Sequence, residues 1–176
     1  YGGSCFPKDV KALIKTAEEH SYDFKILKAV DRVNEQQQVL MVEKLKRHFK
    51  GKVKGRLIAL WGLAYKPRTD DLRDAPSLVI IDRLLELGAK VSAHDPVATG
   101  RARKILGERV RFFDGNYDVL KGADALIVVT EWNEFRQPDF ERMKRLMKSP
   151  IVFDGRNIYD PKEMRAKGFT YYGVGK

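Results

Sequence analysis

From residue 56 onward the sequence alternates short apolar runs with amphipathic stretches, and this alternation limits the possible folds more than any other feature. Arg56-Leu57-Ile58-Ala59-Leu60-Trp61-Gly62 is a brief apolar run closed by glycine, the pattern of a parallel strand buried on both faces. Pro76 then opens a stretch with Leu78, Val79, Ile81, Leu84 and Leu85 at helical spacing, stopped by Gly88. Residues 90–96 supply the next strand and turn, which completes one strand–helix–strand unit. Further strands are expected at 125–130, 151–154 and 169–172, with a helix near 139–147. Such alternation predicts an α/β fold, a Rossmann-like doubly wound parallel sheet spanning residues 53–176.

Residues 1–52 have a different texture. A helix is expected over 8–20, with Val10, Leu13, Ile14 and Ala17 on one face. A second, long helix, capped by Ser21 or Asp23, is expected to run to Lys50 and stop at Gly51. Its apolar residues, among them Phe24, Leu27, Val30 and Val33, exceed what so small a chain can cover, and Gln36-Gln37-Gln38 interrupt them. The helix is therefore expected to pack across a domain or subunit boundary, most simply in a homodimer.

Composition excludes several classes. No run of about 18 apolar residues exists, so no membrane span is expected. The single cysteine allows no internal disulfide, as in a reducing, cytoplasmic setting. A net charge of +10 raises the possibility of nucleic-acid binding. Yet the densest basic run, residues 44–56, falls at a helix C-terminus, where cations are favoured, and elsewhere the charges are mixed; nucleic acid is not the expected partner. The chain starts at Tyr1, with its most distinctive motif at the very edge, which points to a piece of something larger.

In doubly wound sheets ligands lie beyond the carboxyl ends of the strands. Three segments fall there: residues 62–73, His94-Asp95-Pro96, and Asp154-Gly155-Arg156-Asn157. The first holds only Gly62 of a G-x-G-x-x-G fingerprint, so the domain is not expected to hold a dinucleotide in the usual way. Lys66, Arg68 and Arg73 nonetheless suit phosphate groups. At the N-terminus, Cys5 precedes Pro7 and so borders a helix start, where the dipole favours a thiolate. Lys8 adds a cation and Asp9 a possible base, a set suited to covalent catalysis, although a lone cysteine is more often a small buried hydrophobe.

Gly2-Gly3-Ser4-Cys5-Phe6-Pro7-Lys8-Asp9 resembles the active-site segment of the UDP-glucose/GDP-mannose dehydrogenase family. Residues 62–77, with Tyr65-Lys66-Pro67, Thr69-Asp70-Asp71, Arg73 and Pro76-Ser77, resemble a second family signature, and Phe153-Asp154-Gly155-Arg156-Asn157 a third. The three occur in family order across essentially the whole chain, and Phe6 after the cysteine favours the UDP-glucose branch. The resemblance implies the C-terminal half of an NAD-dependent enzyme that oxidises the C6 alcohol of UDP-glucose to a carboxylate through a thioester on Cys5, with no metal. It implies Cys5 and Asp9 as catalytic residues, Lys8 and Arg73 toward NAD, and Gly2, Tyr65, Lys66 and Arg156 toward the nucleotide-sugar. It also implies that an N-terminal NAD-binding domain, in cis or as a separate chain, is required, and that this chain alone is inactive. A nucleotide-sugar-binding module without chemistry and a GDP-mannose enzyme remain the alternatives.

Overall fold

In a computed structural model, which describes residues 1–175, three helices precede a six-stranded sheet. The helices are α1 (Phe6–Glu19), α2 (Lys25–Gln38) and α3 (Leu40–His48). The sheet comprises β1 (Leu57–Trp61), β2 (Lys90–His94), β3 (Arg111–Phe112), β4 (Ala125–Val128), β5 (Ile151–Asp154) and β6 (Thr170–Gly173). Between the strands run α4 (Pro76–Glu86), α5 (Thr99–Leu106), α6 (Asn133–Arg136), α7 (Phe140–Leu146) and α8 (Pro161–Ala166). Every strand pair is parallel, in the order β3-β2-β1-β4-β5-β6. This is the doubly wound order expected from the alternation, with its reversal between β1 and β4.

The central strands β1 and β4 are apolar at every position because both faces are covered. Ile58 and Leu60 of β1 point with Ile127 and Phe153 into a cluster shared with Met41, Val42 and Leu45 of α3, Ile81 and Leu84 of α4, and Ala102 of α5. Ala59 and Trp61 point the other way, with Leu126, Val128 and Val152, against Phe135, Met143 and Met164 of α6, α7 and α8. The period-2 alternation thus divides one continuous apolar run between two cores. On the second face Trp61 stacks on Phe135 with centroids 4.9 Å apart and donates its indole N–H to Asn116 O at 2.6 Å.

Several expected boundaries shift. The first helix starts at Phe6, with Pro7 in its first turn and Cys5 as its N-cap residue. The long helix is two helices, α2 and α3, meeting at Val39 just after the three glutamines. Neither Ser21 nor Asp23 caps it; Phe24 is the cap residue without a side-chain bond, while Ser21 turns the chain at φ 60° and Asp23 accepts from Lys28 Nζ at 2.9 Å. The division has a packing cause: α3 buries three side chains in the sheet core, whereas α2 buries none. Ile26, Val30 and Val33 of α2 are left exposed at 72%, 42% and 54%. Residues 99–112 and 161–166, which carry weak periodicity, also form elements: α5, β3 and α8. Among the described residues no helix is long and apolar enough to cross a membrane.

Gly62, at the end of β1, has φ +92°, and a Cβ built there would lie 2.4 Å from Thr130 Cβ and 2.6 Å from Thr130 N. Left-handed strain and overpacking together predict that Gly62→Ala costs about 2–5 kcal/mol, roughly a 5–15 °C fall in Tm. Thermal unfolding checks this; a Tm within about 2 °C of the parent contradicts it.

Candidate active site

The loop after β1 leaves the sheet at its topological switch point and is fastened by buried partners. Gly62 N donates to His94 O at 2.9 Å, and Leu63 N and Ala64 N donate to Asp95 Oδ2 at 2.7 and 3.1 Å. Ser77 Oγ donates to Leu63 O, and Thr130 Oγ1 to Ala64 O at 2.6 Å. The chain therefore emerges at Tyr65 and Lys66 with its preceding backbone groups satisfied. Arg68 and Asp74 further along adopt φ 63° and 48°, left-handed values that are costly for side-chain-bearing residues and that cluster at functional loops.

Two clefts meet at Tyr65 and Lys66. The first, about 360 Å³, opens over the carboxyl ends of β4 and β5. Its floor includes Val128, Val129 and Gly155, Arg156 stands at its side, and Gln37, Gln38 and Met41 of the α2–α3 junction form the far wall. The second, about 300 Å³, is lined by Gly2, Gly3, Ser4, Cys5 and Phe6 with Thr69 and Asp71. Both volumes fall in the range of small-molecule sites. Tyr65 and Lys66 line both, so the two clefts are neighbours that share a wall.

The Tyr65 ring lies flat against glycine backbone. A Cβ on Gly2 would sit 2.9 Å from Tyr65 Cε2 and 3.0 Å from Asp74 O, and one on Gly3 2.8 Å from Cδ1. Gly3 also has φ +81°. Two consecutive glycines are thus required for the cysteine segment to approach the loop, a reason for Gly2 beyond any ligand contact. Cys5 is exposed at the N-cap of α1, with Ser4 Oγ at 3.6 Å from its sulfur.

The sequence-predicted cations are mostly held by carboxylates. Lys8 Nζ pairs with Asp9 on the exposed first turn of α1, and neither lines the cysteine cleft. That hydrogen bond raises the Lys8 pKa. Arg73 clasps Asp71 in a bidentate pair, Nε–Oδ1 at 2.9 Å and Nη2–Oδ2 at 2.8 Å. Arg156 Nε donates to Glu131 Oε2 at 2.6 Å. Burial pushes the Glu131 carboxyl up, but the Arg156 contacts prevail and its pKa falls below the ordinary value. Lys66 alone of these four cations has no carboxylate partner among the described residues.

Sequence reading assigned no role to Asp95, Thr130, Glu131 or the amides Gln37 and Gln38. Asp95 lies in a segment marked by its position past β2, and the glutamines were visible as a break in the apolar stripe. Thr130 and Glu131 carried no signal, since they merely follow an apolar strand. Among the described residues no group of three or more His, Cys, Asp or Glu is placed to hold a metal ion.

Arg73 holds the Asp71 carboxyl down to about 2, chiefly through the side-chain hydrogen bond, against an ordinary 3.8. Because the folded value is the lower one, any stability from the pair is complete above 3.8 and is lost as pH falls toward 2. Carboxyl-carbon NMR titration should show Asp71 moving up toward 3.8 in Arg73→Ala. An unchanged midpoint contradicts the pair.

Residues 59–161 match the UDP binding domain of the UDP-glucose/GDP-mannose dehydrogenase family, and residues 1–36 match that family's central domain. The chain is 50% identical to the UDP-glucose 6-dehydrogenase of Pseudomonas aeruginosa, covering 100% of this chain and 40% of that protein. It is 44% identical to the UDP-glucose 6-dehydrogenase TuaD of Bacillus subtilis, covering 38% of it. Among solved structures, a UDP-glucose dehydrogenase from the archaeon Pyrobaculum islandicum superposes with a TM-score of 0.85 at 36% identity, over 99% of this chain and 38% of that one. The chain thus spans about 40% of the length of the curated relatives it matches. It belongs to the UDP-glucose/GDP-mannose dehydrogenase family.

Proposed function

We propose that this chain is the substrate-binding, cysteine-bearing part of an NAD-dependent UDP-glucose 6-dehydrogenase. The observation that carries the reading is the common wall of the two clefts. Tyr65 and Lys66 border both a nucleotide-sized compartment over the carboxyl ends of β4 and β5 and a compartment open to Cys5. A nucleotide-sugar laid across that wall puts its diphosphate at Lys66 and its sugar C6 toward the thiol. Residues 1–52 then form the cysteine segment with the central helices, and residues 53–176 the nucleotide-sugar domain.

The chemistry asked of the chain is modest. The C6 alcohol loses a hydride and a proton to become an aldehyde. The Cys5 thiolate adds to the aldehyde carbon, and the resulting thiohemiacetal loses a second hydride to give a thioester. Water attacks the thioester, the carbon–sulfur bond breaks, and carboxylate and thiol are released. Two NAD molecules, bound in turn, would each accept one of these hydrides. Cys5 stands at the start of α1, and Lys8 and Arg73 are cations near its thiol. Asp9 lies one helical turn on, its N–H donating to Cys5 O at 3.0 Å, and is the base for the water once Lys8 turns to an anionic ligand.

This chain's own sheet does not fit NAD. The turn after β1 has one glycine, and its first two free N–H groups are already engaged by Asp95. Lys8 and Arg73, exposed beside the cysteine cleft, instead fit the phosphates of a dinucleotide presented by another domain. That is why the chain alone is assigned no turnover. α2 supplies a dimer contact in the same proposal: Ile26, Val30 and Val33, with Ala29, line an apolar groove of about 470 Å³.

Lys66→Ala should weaken UDP binding to the chain by about ten- to a hundredfold, the worth of one charge-assisted phosphate contact, while Arg73→Ala changes it little. Calorimetry with UDP and with GDP checks this. UDP affinity lost in Arg73→Ala but kept in Lys66→Ala would overturn the assignment, and stronger binding of GDP would shift the substrate to a guanine nucleotide. In sedimentation, the parent chain should be a dimer and Val33→Asp a monomer; a monomeric parent removes α2 as the interface.

A further inference from the structure

The segment His94-Asp95-Pro96 was marked by its place beyond β2, and the dehydrogenase reading leaves it without a task. Its aspartate is 2% exposed, and its two oxygens accept five hydrogen bonds. Oδ2 takes Leu63 N at 2.7 Å, Ala64 N at 3.1 Å and Trp132 Nε1 at 3.2 Å. Oδ1 takes Val97 N at 2.9 Å and Ala98 N at 2.8 Å. In doubly wound dinucleotide folds the N–H groups after the first strand face a ligand phosphate, and the acid past the second strand faces a ribose. Here that acid turns inward and occupies the place of the phosphate.

We propose that Asp95 is a positioning residue: a built-in anion, seated where such folds hold a ligand phosphate, that fixes the Leu63–Ala64 backbone and thereby sets Tyr65 and Lys66 as the wall between the two clefts. Three features support this. The two N–H groups it binds immediately precede Tyr65 and Lys66, so a shift there moves both side chains directly. The opposite edge of the same two residues is held by Ser77 and Thr130 hydroxyls, which leaves Asp95 as the partner that fixes the N–H side. Trp132, its fifth donor, adjoins Glu131, the carboxylate that holds Arg156 at the nucleotide cleft. The anion is thus bonded to the residues that precede Tyr65 on one side of that cleft and to the neighbour of Glu131 on the other. It also engages the two N–H groups that a diphosphate would take in such folds.

Chemical rescue tests the assignment, because a small carboxylate can refill the seat that Asp95→Ala vacates. In the full chain Asp95→Ala should bind UDP about tenfold or more weakly, since small misplacement of a contact group has effects of this size, and formate should restore most of the loss. Formate should leave the parent unchanged. Met164→Ala, destabilised in the opposite core, should keep parental UDP affinity, which separates positioning from general loss of stability. The effect on UDP rests on the nucleotide-sugar reading; a second readout does not. Tyr65 packs on Gly2 and Gly3, so Asp95→Ala should alkylate Cys5 with iodoacetamide severalfold faster, and formate should return the rate to the parent's. If the parent fails to bind UDP, the dehydrogenase reading fails and the cysteine rate still decides the role of Asp95. If Asp95→Ala folds only with formate present, the built-in anion is supported, and Asp95→Asn then serves for both readouts. Parental UDP affinity and parental cysteine reactivity in a folded Asp95→Ala, or no response to formate, would overturn the proposal.

Discussion

The contact on which the site depends is an aromatic ring lying against bare backbone. Tyr65 meets Gly2 and Gly3 at distances that admit no Cβ at either position. Without that contact the cysteine segment would be a tail ahead of α1, and the loop after β1 an ordinary surface excursion. With it, a thiol at a helix start and a loop at a sheet switch point become one concave surface. Its precision comes from the loop's fastening beneath. Leu63 and Ala64 have their N–H and C=O groups bound by three buried side chains, so little freedom remains where the loop reaches the cysteine segment.

Charge on this surface follows a consistent pattern. Lys8, Arg73 and Arg156 each carry a carboxylate partner, and Lys66 carries none among the described residues. The Lys8–Asp9 pair is exposed and worth little in stability, whereas Asp71 and Glu131, the acids of the other two pairs, are half-buried. The net charge of +10 is therefore not spread evenly over function. The basic run at 44–56 includes Lys44, whose amine donates to Gly173 O, and Arg56, which pairs with Asp124, so part of it ties α3 and β1 to the sheet.

The strand pattern was legible because the central strands β1 and β4, covered on both faces, are apolar at every position. Asp139, which accepts from Arg142 N, showed the start of α7 just as clearly. The edge of the sheet was not legible: β3 has two residues, and α5 is eight residues long with three basic side chains among them, so neither leaves a clear periodic trace. The division of the long helix at Val39 was hidden for another reason. No proline or glycine marks it, and it arises where α3 gains the sheet core and α2 has none. In the site, Gly2, Cys5, Tyr65, Lys66 and Arg156 were named from motifs and lie on the two clefts. Asp95 and Thr130 escaped because their task is directed at backbone atoms, and sequence alone does not show which backbone group a buried acid or hydroxyl will meet.

The central claim is that the two clefts are compartments of one site, joined at Tyr65 and Lys66. Cys5 is the chain's single thiol, so its alkylation by a neutral reagent reports on one compartment alone. The decisive measurement is that rate with the nucleotide cleft saturated by UDP or by UDP-glucose, occupancy being set by calorimetry. The account predicts that UDP-glucose slows the reaction strongly and UDP does so much less, because only the sugar extends past Tyr65 and Lys66 to the cysteine. Equal protection by the two ligands, or none from UDP-glucose at full occupancy, would contradict it.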